Sequence, residues 1–253
     1  MKVHEYQARE LLRSAGVPVP QSEVIDNAHQ APQAYLRLGV ESVVVKAQVH
    51  AGGRGKAGYV KLVTSAEEAT DHAARMFAHP MVSKQTGPQG VQVHKILMAP
   101  AVDIAREFYV GVVVDRARRT PVLMASSEGG VEIEEVAARN PDAIKKAWFH
   151  PHLGLAMFQA RALAAAIGLS GAKAKAAADI MYKLAQLFLA KDCSLAEINP
   201  LVETSTGEIL AIDAKFNFDD NALCRHPDIA TFFDAGAENP AELRAKEHNL
   251  SYI

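Results

Sequence analysis

The 253-residue sequence predicts a mixed α/β fold, and three stretches carry that expectation. The β-branched run Val43-Val44-Val45 continues through Lys46-Ala47-Gln48-Val49 into a loop holding Gly52, Gly53, Gly55 and Gly58, and a second β-rich run, Tyr59 to Val63, follows. From Ala172 to Ala190, Ala177, Ile180, Met181, Leu184, Leu187 and Phe188 recur at helical spacing and form one apolar stripe. Two further apolar runs, 194–202 and 208–215, flank Thr204-Ser205-Thr206-Gly207 and read as a β-hairpin. The chain is long enough for one large domain or two lobes.

Composition narrows the class. Apolar residues make up 49% of the chain and charged residues 22%, as in ordinary globular proteins. A formal net charge of −2 gives no reason to expect nucleic-acid binding, so the cations around the glycine loop belong to a local site. Cys193 and Cys224 offer neither a disulfide framework nor metal-ligand spacing and point to a reducing compartment. No apolar run approaches the roughly 18 residues that span a membrane. Met1 to Tyr6 lacks the apolar core of a signal peptide. The expectation is a cytoplasmic protein with no membrane partner.

In chain order, residues 4–14 place Tyr6, Leu11 and Leu12 among charges as an amphipathic helix, stopped at Gly16. Val17-Pro18-Val19-Pro20 is an extended connector, because proline disfavours helix in the residue before it. A helix over about 30–38, strand 42–49, strand 59–63, a helix from an N-cap at Ser65 to about Ala78, and a strand from Val91 to Met98 complete a first lobe. Residues 106–114 and 121–126 read as an antiparallel pair around a charged turn. Short helix 133–138, helix 158–167, the striped helix and the hairpin follow. The polar, alanine-rich tail ends on Leu250-Ser251-Tyr252-Ile253, and the expectation is that the chain continues in a longer protein.

Chemistry concentrates at three places. Glycine lets backbone N–H groups approach an anion, and a lysine at a strand end supplies a point charge, so Lys46 with Gly53-Arg54-Gly55 suits a phosphate. A solvated surface hairpin is the alternative there. The order of strand, loop and strand fits neither a P-loop nor a dinucleotide fingerprint. In the hairpin, Glu197 and Asn199 share a strand face and Asp213 lies on the partner run. Such oxygens could hold Mg²⁺, which takes one or two protein ligands beside phosphate, or they could cap turns. A carboxylate within an apolar strand calls for a metal, a lysine or a hydrogen-bond network, with Lys46 and Lys215 as candidates. Glu107 could bond a ribose hydroxyl or be an ordinary exposed strand glutamate. The scattered histidines make no zinc site, and both cysteines read as small buried hydrophobes.

The chain resembles the nucleotide-binding part of the β subunits of the succinyl-CoA synthetase (succinate–CoA ligase) family. The resemblance runs nearly end to end. It rests on His4-Glu5-Tyr6-Gln7-Ala8, Val44-Val45-Lys46, Gln48 to Gly58, Asp103-Ile104-Ala105-Arg106-Glu107, Glu128-Gly129-Gly130-Val131-Glu132-Ile133-Glu134, Glu197-Ile198-Asn199-Pro200-Leu201 and Asn221-Ala222-Leu223. It implies an ATP-grasp fold, two lobes clamping a nucleotide, over residues 1–240. The small lobe 21–103 is inserted between 1–20 and 104–240, and 241–253 begins a linker to an absent flavodoxin-like domain. The resemblance further implies ATP or ADP against Lys46 and Gly53-Arg54-Gly55, with Glu107 at the ribose. Backbone contacts to adenine would come from a hinge at Met98 to Val102, including Ala99 and Val102. Mg²⁺ would lie on Asn199 and Asp213. Glu197 would face a phosphohistidine carried by an α subunit that binds CoA. The implied reaction joins ATP, succinate and CoA to ADP, phosphate and succinyl-CoA, with the dicarboxylic acid reaching the absent domain.

Ala99 departs from the glutamate usual in that family, which removes a side-chain contact to the base but not a backbone one. Pro20 resembles the ATP-using branch. Malate–CoA ligase large subunits look similar over 213–215, 218–223 and 247–253. A non-catalytic nucleotide-binding module is the alternative of another class; retained Lys46, Glu107, Glu197, Asn199 and Asp213 oppose it.

Overall fold

The computed structural model describes residues 1–250 apart from Lys84, Asn239 and Asn249. The chain begins with α1 (Glu5–Ser14), β1 (Glu23–Ile25), α2 (Ala31–Leu38), β2 (Val43–Ala47), β3 (Val60–Val63), α3 (Ala66–Ala78), β4 (Met81–Ser83), β5 (Gly87–Val91) and β6 (Ile96–Pro100). It continues with β7 (Ile104–Asp115), β8 (Thr120–Ser126), α4 (Ile133–Arg139), β9 (Lys145–Trp148), α5 (Met157–Ala166) and α6 (Gly171–Ala190). It closes with β10 (Cys193–Thr204), β11 (Ile209–Ala211), β12 (Ala214–Phe218), α7 (Pro227–Ala230) and α8 (Pro240–Glu247). Two compact units result: residues 1–20 with 102–231, and residues 21–101 with the segment from 232 onward.

The larger unit is built on an antiparallel sheet ordered β11-β10-β7-β8-β9, with β12 also paired to β10. Strand β10 is its spine. One edge runs along β7 from Leu195↔Val113 to Thr204↔Ile104, and the other meets β12 up to Ile198↔Ala214 and β11 from Leu201↔Ala211. Helix α6 packs on β7, β10 and β11, and α5 packs on α6 and β9. All six stripe residues of α6 are buried, so that face is core. Helix α1 packs on β12 and ends at Gly16, whose φ of 74° provides the left-handed turn that favours glycine.

The smaller unit carries a four-stranded antiparallel sheet, β1-β6-β2-β3, and a separate β4-β5 pair. Ile25, Val43, Val45, Ala47, Ile96 and Met98 from its strands share a core with Ala34, Leu38, Ala69, Ala73 and Met76 from α2 and α3. At the start of α3, Ser65 Oγ accepts the Glu68 N–H at 3.1 Å while Glu68 Oε2 accepts the Thr64 N–H at 2.8 Å. That arrangement satisfies amides the first helical turn leaves over.

Two elements differ from expectation. The strand expected from Val91 to Met98 is two strands: Val91 ends β5, opposite Met81, and β6 begins at Ile96. Residues 92–95 belong to no strand, so Val91 is paired in the β4-β5 ladder while Ile96 to Met98 are paired with β1 and β2. The expected two-stranded hairpin is one long strand facing two short ones, with Ile212 and Asp213 in the gap between β11 and β12. Beyond residue 240, where a linker was expected, α8 runs to Glu247; Asn249 and residues 251–253 fall outside the described residues.

Candidate functional site

In the larger unit the site is assembled at the break in β10. Glu197 is the last acidic residue before the break and pairs with Gly111 of β7 on one side and Lys215 of β12 on the other. The Asn199 N–H donates to the Asp213 carbonyl at 3.1 Å, bringing together the two residues expected to hold a cation. Asp213 thus sits in a gap of the ladder, where a side chain is not committed to the pleat. Burial pushes the Glu197 carboxyl above the usual range; the nearby Lys215 cation and a hydrogen bond from the Asn199 amide oppose that shift. Of the two lysines considered for this carboxylate, Lys215 is in the opposing position.

The orientation of Asn199 is fixed by a loop from elsewhere in the unit. Its Oδ1 accepts the Gly130 N–H at 2.8 Å and its Nδ2 donates to the Val131 carbonyl at 2.9 Å. One donor and one acceptor on the loop leave no ambiguity in the amide's direction. An amide oxygen has two lone pairs, so Oδ1 can still meet a cation. Asn199 and Asp213 together supply two hard oxygens, which fits Mg²⁺ shared with phosphate. No group of three or more His, Cys, Asp or Glu suited to a metal occurs among the described residues.

Glu107 lies on β7, exposed, opposite Val202 of β10. It borders an open cavity of about 500 Å³ lined by residues 104–107 and 127–129. Next to it, Arg106 donates to the Gly168 carbonyl at 3.2 Å and lies over the Phe108 ring at 4.8 Å, which fixes the strand beside α5.

The smaller unit carries the second group of expected residues. Val43, Val45 and Ala47 face the helices, so Lys46 lies on the opposite sheet face, 9% exposed. Its partner in the ladder is Leu97, and Val44 pairs with Ala99, so Lys46, Leu97 and Ala99 share that face. Met98, Ala99 and Pro100 belong to β6, and Ala101 extends the contact by donating to the Ser42 carbonyl at 2.9 Å. Val102, which belongs to the larger unit, lies outside any strand.

The glycine loop is a compact turn. Ala57 donates to the Gly53 carbonyl at 3.0 Å, Gly58 to Gly55 at 3.1 Å and Tyr59 to Arg54 at 2.9 Å. Gly53 has φ of 78°, and Arg54 Nη1 turns back to the Ala47 carbonyl at 3.1 Å. Gln85, which sequence reasoning missed, accepts the Gly52 N–H at 2.7 Å from the β4-β5 segment. Its contact joins residues 33 apart, and no local pattern announces it. Tyr109 was likewise missed; its hydroxyl lies 3.5 Å from Glu197 Oε2, a contact between residues 88 apart that no local pattern announces.

Comparison with known proteins places the chain in a family. The family model described as ATP-grasp domain matches residues 2–203. The succinate–CoA ligase [ADP-forming] subunit beta of Geobacillus thermodenitrificans is 49% identical over all of this chain, which covers 66% of that protein. The subunit of the same name from Anaeromyxobacter dehalogenans is 51% identical, again over the whole chain and 65% of the relative. The chain therefore spans just under two thirds of the length of these relatives. Among solved structures, a dinucleotide-forming acetyl-coenzyme A synthetase 1 of Ca. Korarchaeum cryptofilum shares the fold at a TM-score of 0.62 and 17% identity, over 86% of this chain and 93% of that one. That structure is described as a complex with coenzyme A and Mg-AMPPCP, its phosphohistidine segment pointing towards the nucleotide binding site. With four fifths of its length matched by the family model, this chain belongs to the ATP-grasp domain family.

Proposed function

We propose that this chain is the nucleotide-binding part of the β subunit of an ADP-forming succinate–CoA ligase, acting with an α subunit that carries a phosphorylated histidine and binds CoA. The observation that carries the reading is the cluster at the break in β10, where Asn199 and Asp213 meet beside the half-buried Glu197. The 49% and 51% identity of the whole chain to part of the two β subunits supports the acid and the partner. The phosphohistidine segment belongs to the Korarchaeum protein and supports the transfer step by analogy of fold.

In this reading the chain's own groups bind and orient. Lys46 and the Gly53-Arg54-Gly55 amides take phosphate oxygens, Glu107 accepts a ribose hydroxyl, and the backbone at Ala99 to Val102 meets the base. Asn199 and Asp213 would hold Mg²⁺. When bound, that ion supplies charge neutralisation for the β- and γ-phosphates. Glu197 meets the partner's histidine and holds its ring N–H, which orients the other nitrogen for phosphate. Positioning and fixed charge account for the acceleration expected here.

Calorimetric titration with ADP and ATP, with and without Mg²⁺, tests the nucleotide site. Saturable binding that strengthens with Mg²⁺ and is lost in Lys46→Ala and Asp213→Ala is the expected result; no binding at millimolar nucleotide would overturn it. Joining the chain to the remaining β-subunit sequence and to an α subunit, then assaying succinyl-CoA formation, tests the reaction. Activity abolished by Glu197→Ala with nucleotide binding intact is expected.

A further inference from the structure

The segment Ser127 to Val131 has no role in the reaction proposed for this chain, yet it touches both kinds of candidate ligand in the larger unit. A Cβ built on Gly129 would lie 2.4–2.5 Å from the backbone atoms of Phe108, so the loop backbone rests directly on β7. Only a residue without a side chain permits that approach. A Cβ on Gly130 would lie 2.5 Å from Glu107 Oε2, and Gly130 has φ of 71°. From the same residue the N–H reaches Asn199 Oδ1, and the next carbonyl accepts from Asn199 Nδ2. Ser126 Oγ accepts the Glu128 N–H at 3.1 Å, and Arg139 pairs with Glu128, so the loop is anchored at its start.

We propose that the Gly129-Gly130-Val131 backbone is a positioning element that sets the direction of the Asn199 amide and the placing of Glu107 together. The proposal rests on the reading of Asn199 as a cation ligand and Glu107 as a nucleotide contact. The two side chains come from different strands, β10 and β7, and the loop is the element in contact with both. By donating to Oδ1 and accepting from Nδ2, it holds the oxygen away from the flipped orientation, in which an NH₂ group would face the cation. Hydrogen-bonded partners of this kind fix ligand orientation at metal sites. Packing of Gly130 against Glu107 makes the loop a stop for the carboxylate, so displacing the loop moves both groups.

The test compares the strengthening of ADP binding by Mg²⁺ in the unsubstituted chain, Gly130→Ala, Asn199→Ala and the double variant. Gly130→Ala is expected to weaken the Mg²⁺ contribution about 10- to 100-fold, as for other supporting partners of metal ligands. Asn199→Ala should lose it as well, and the double variant should fall no further than Asn199→Ala alone. A loss confined to Asn199→Ala, with Gly130→Ala unchanged, overturns the role of the loop. A Mg²⁺ contribution kept in Asn199→Ala overturns the reading of Asn199, and the proposal with it. Because alanine at a positive φ could unfold the loop, amide hydrogen exchange at Gly130 is followed in Asn199→Ala, whose loop sequence is intact. Faster exchange there is expected; unchanged exchange overturns the proposed coupling.

Discussion

Tyr109 reaches Glu197 across a glycine. The phenol oxygen lies 3.5 Å from Glu197 Oε2, and Gly111, two residues on in β7, is the cross-strand partner of Glu197. A Cβ on Gly111 would lie 2.4 Å from the Tyr109 hydroxyl, so the ring occupies the space a side chain would take. Burial raises the Tyr109 pKa far above its ordinary value, with the Glu197 charge adding to the effect, which keeps the hydroxyl a donor. Glycine here serves a neighbour's side chain, not a backbone turn.

Tyr109→Phe should keep the fold and lower phosphoryl transfer in the assembled ligase by about tenfold or less, the scale of one long hydrogen bond to a charged group. Gly111→Ala should be the worse variant. It forces the ring away and overpacks a buried strand, and a loss of about 1–3 kcal/mol in urea unfolding is expected. Equal stability of Gly111→Ala and the unsubstituted chain would show that the ring is free to leave.

Arg9 gives a stability prediction at the other end of the chain. It is 1% exposed, donates to the Pro20 carbonyl at 2.9 Å and lies 3.7 Å from Glu5, which is also buried. Burial lowers its pKa, and the charges of Glu5 and Asp213 oppose that. Arg9→Ala would strand Glu5 in the interior, and a destabilisation of about 3–5 kcal/mol is expected from denaturant unfolding. Replacing Glu5 and Arg9 together by apolar residues should recover much of the loss, because the cost of desolvation disappears with the charges. If the double variant were no better than Arg9→Ala, most of the loss would come from the hydrogen bond to Pro20 and not from the buried charge.

The helices were legible because their signals are local. The apolar stripe of α6, the Ser65 cap of α3 and the glycine after α1 each lie within a few residues of the helix they mark. Lys215 beside Glu197 could be anticipated too, since an acidic residue in an apolar strand demands a counter-charge. The division of labour around β10 was not legible. Which short strand pairs with which half of β10 depends on long-range register, and nothing within 208–218 marks Ile212 and Asp213 as a gap. The Gly130 contact to Asn199 joins residues 69 apart, and the Gln85 contact to Gly52 joins residues 33 apart. Sequence spacing nominates candidate ligands; the contacts that support them come from folding.

Cys193 and Cys224 should behave differently toward a thiol reagent, although both read alike in the sequence. Cys193 is buried, and burial raises its thiol pKa; Cys224 is exposed. One thiol per chain should react in native buffer, and the second only in denaturant. Labelling followed by peptide mapping should find the native adduct on Cys224. Rapid labelling of Cys193 would mean that the α6 to β10 corner opens in the native state.

Acid stability should depend on Asp192. This residue follows α6 with a φ of 49°, and its Oδ2 receives His226 Nε2 at 2.7 Å and Arg225 Nη2 at 2.9 Å. The hydrogen bond from His226, then that from Arg225, lowers its carboxyl pKa below the ordinary value. A carboxylate depressed in the folded state contributes stability that is fully present above the unfolded pKa of about 3.9 and is lost as pH falls through the folded value. Because the Asp192 side chain is 37% exposed and Arg225 63%, solvent screening holds the contribution below about 1 kcal/mol. Asp192→Asn isolates the charge, since asparagine tolerates the left-handed backbone. The variant should be slightly less stable than the unsubstituted chain at neutral pH, and the two curves should converge below about pH 4. Parallel curves across that range would place the stabilisation in the turn itself and not in the ion pair.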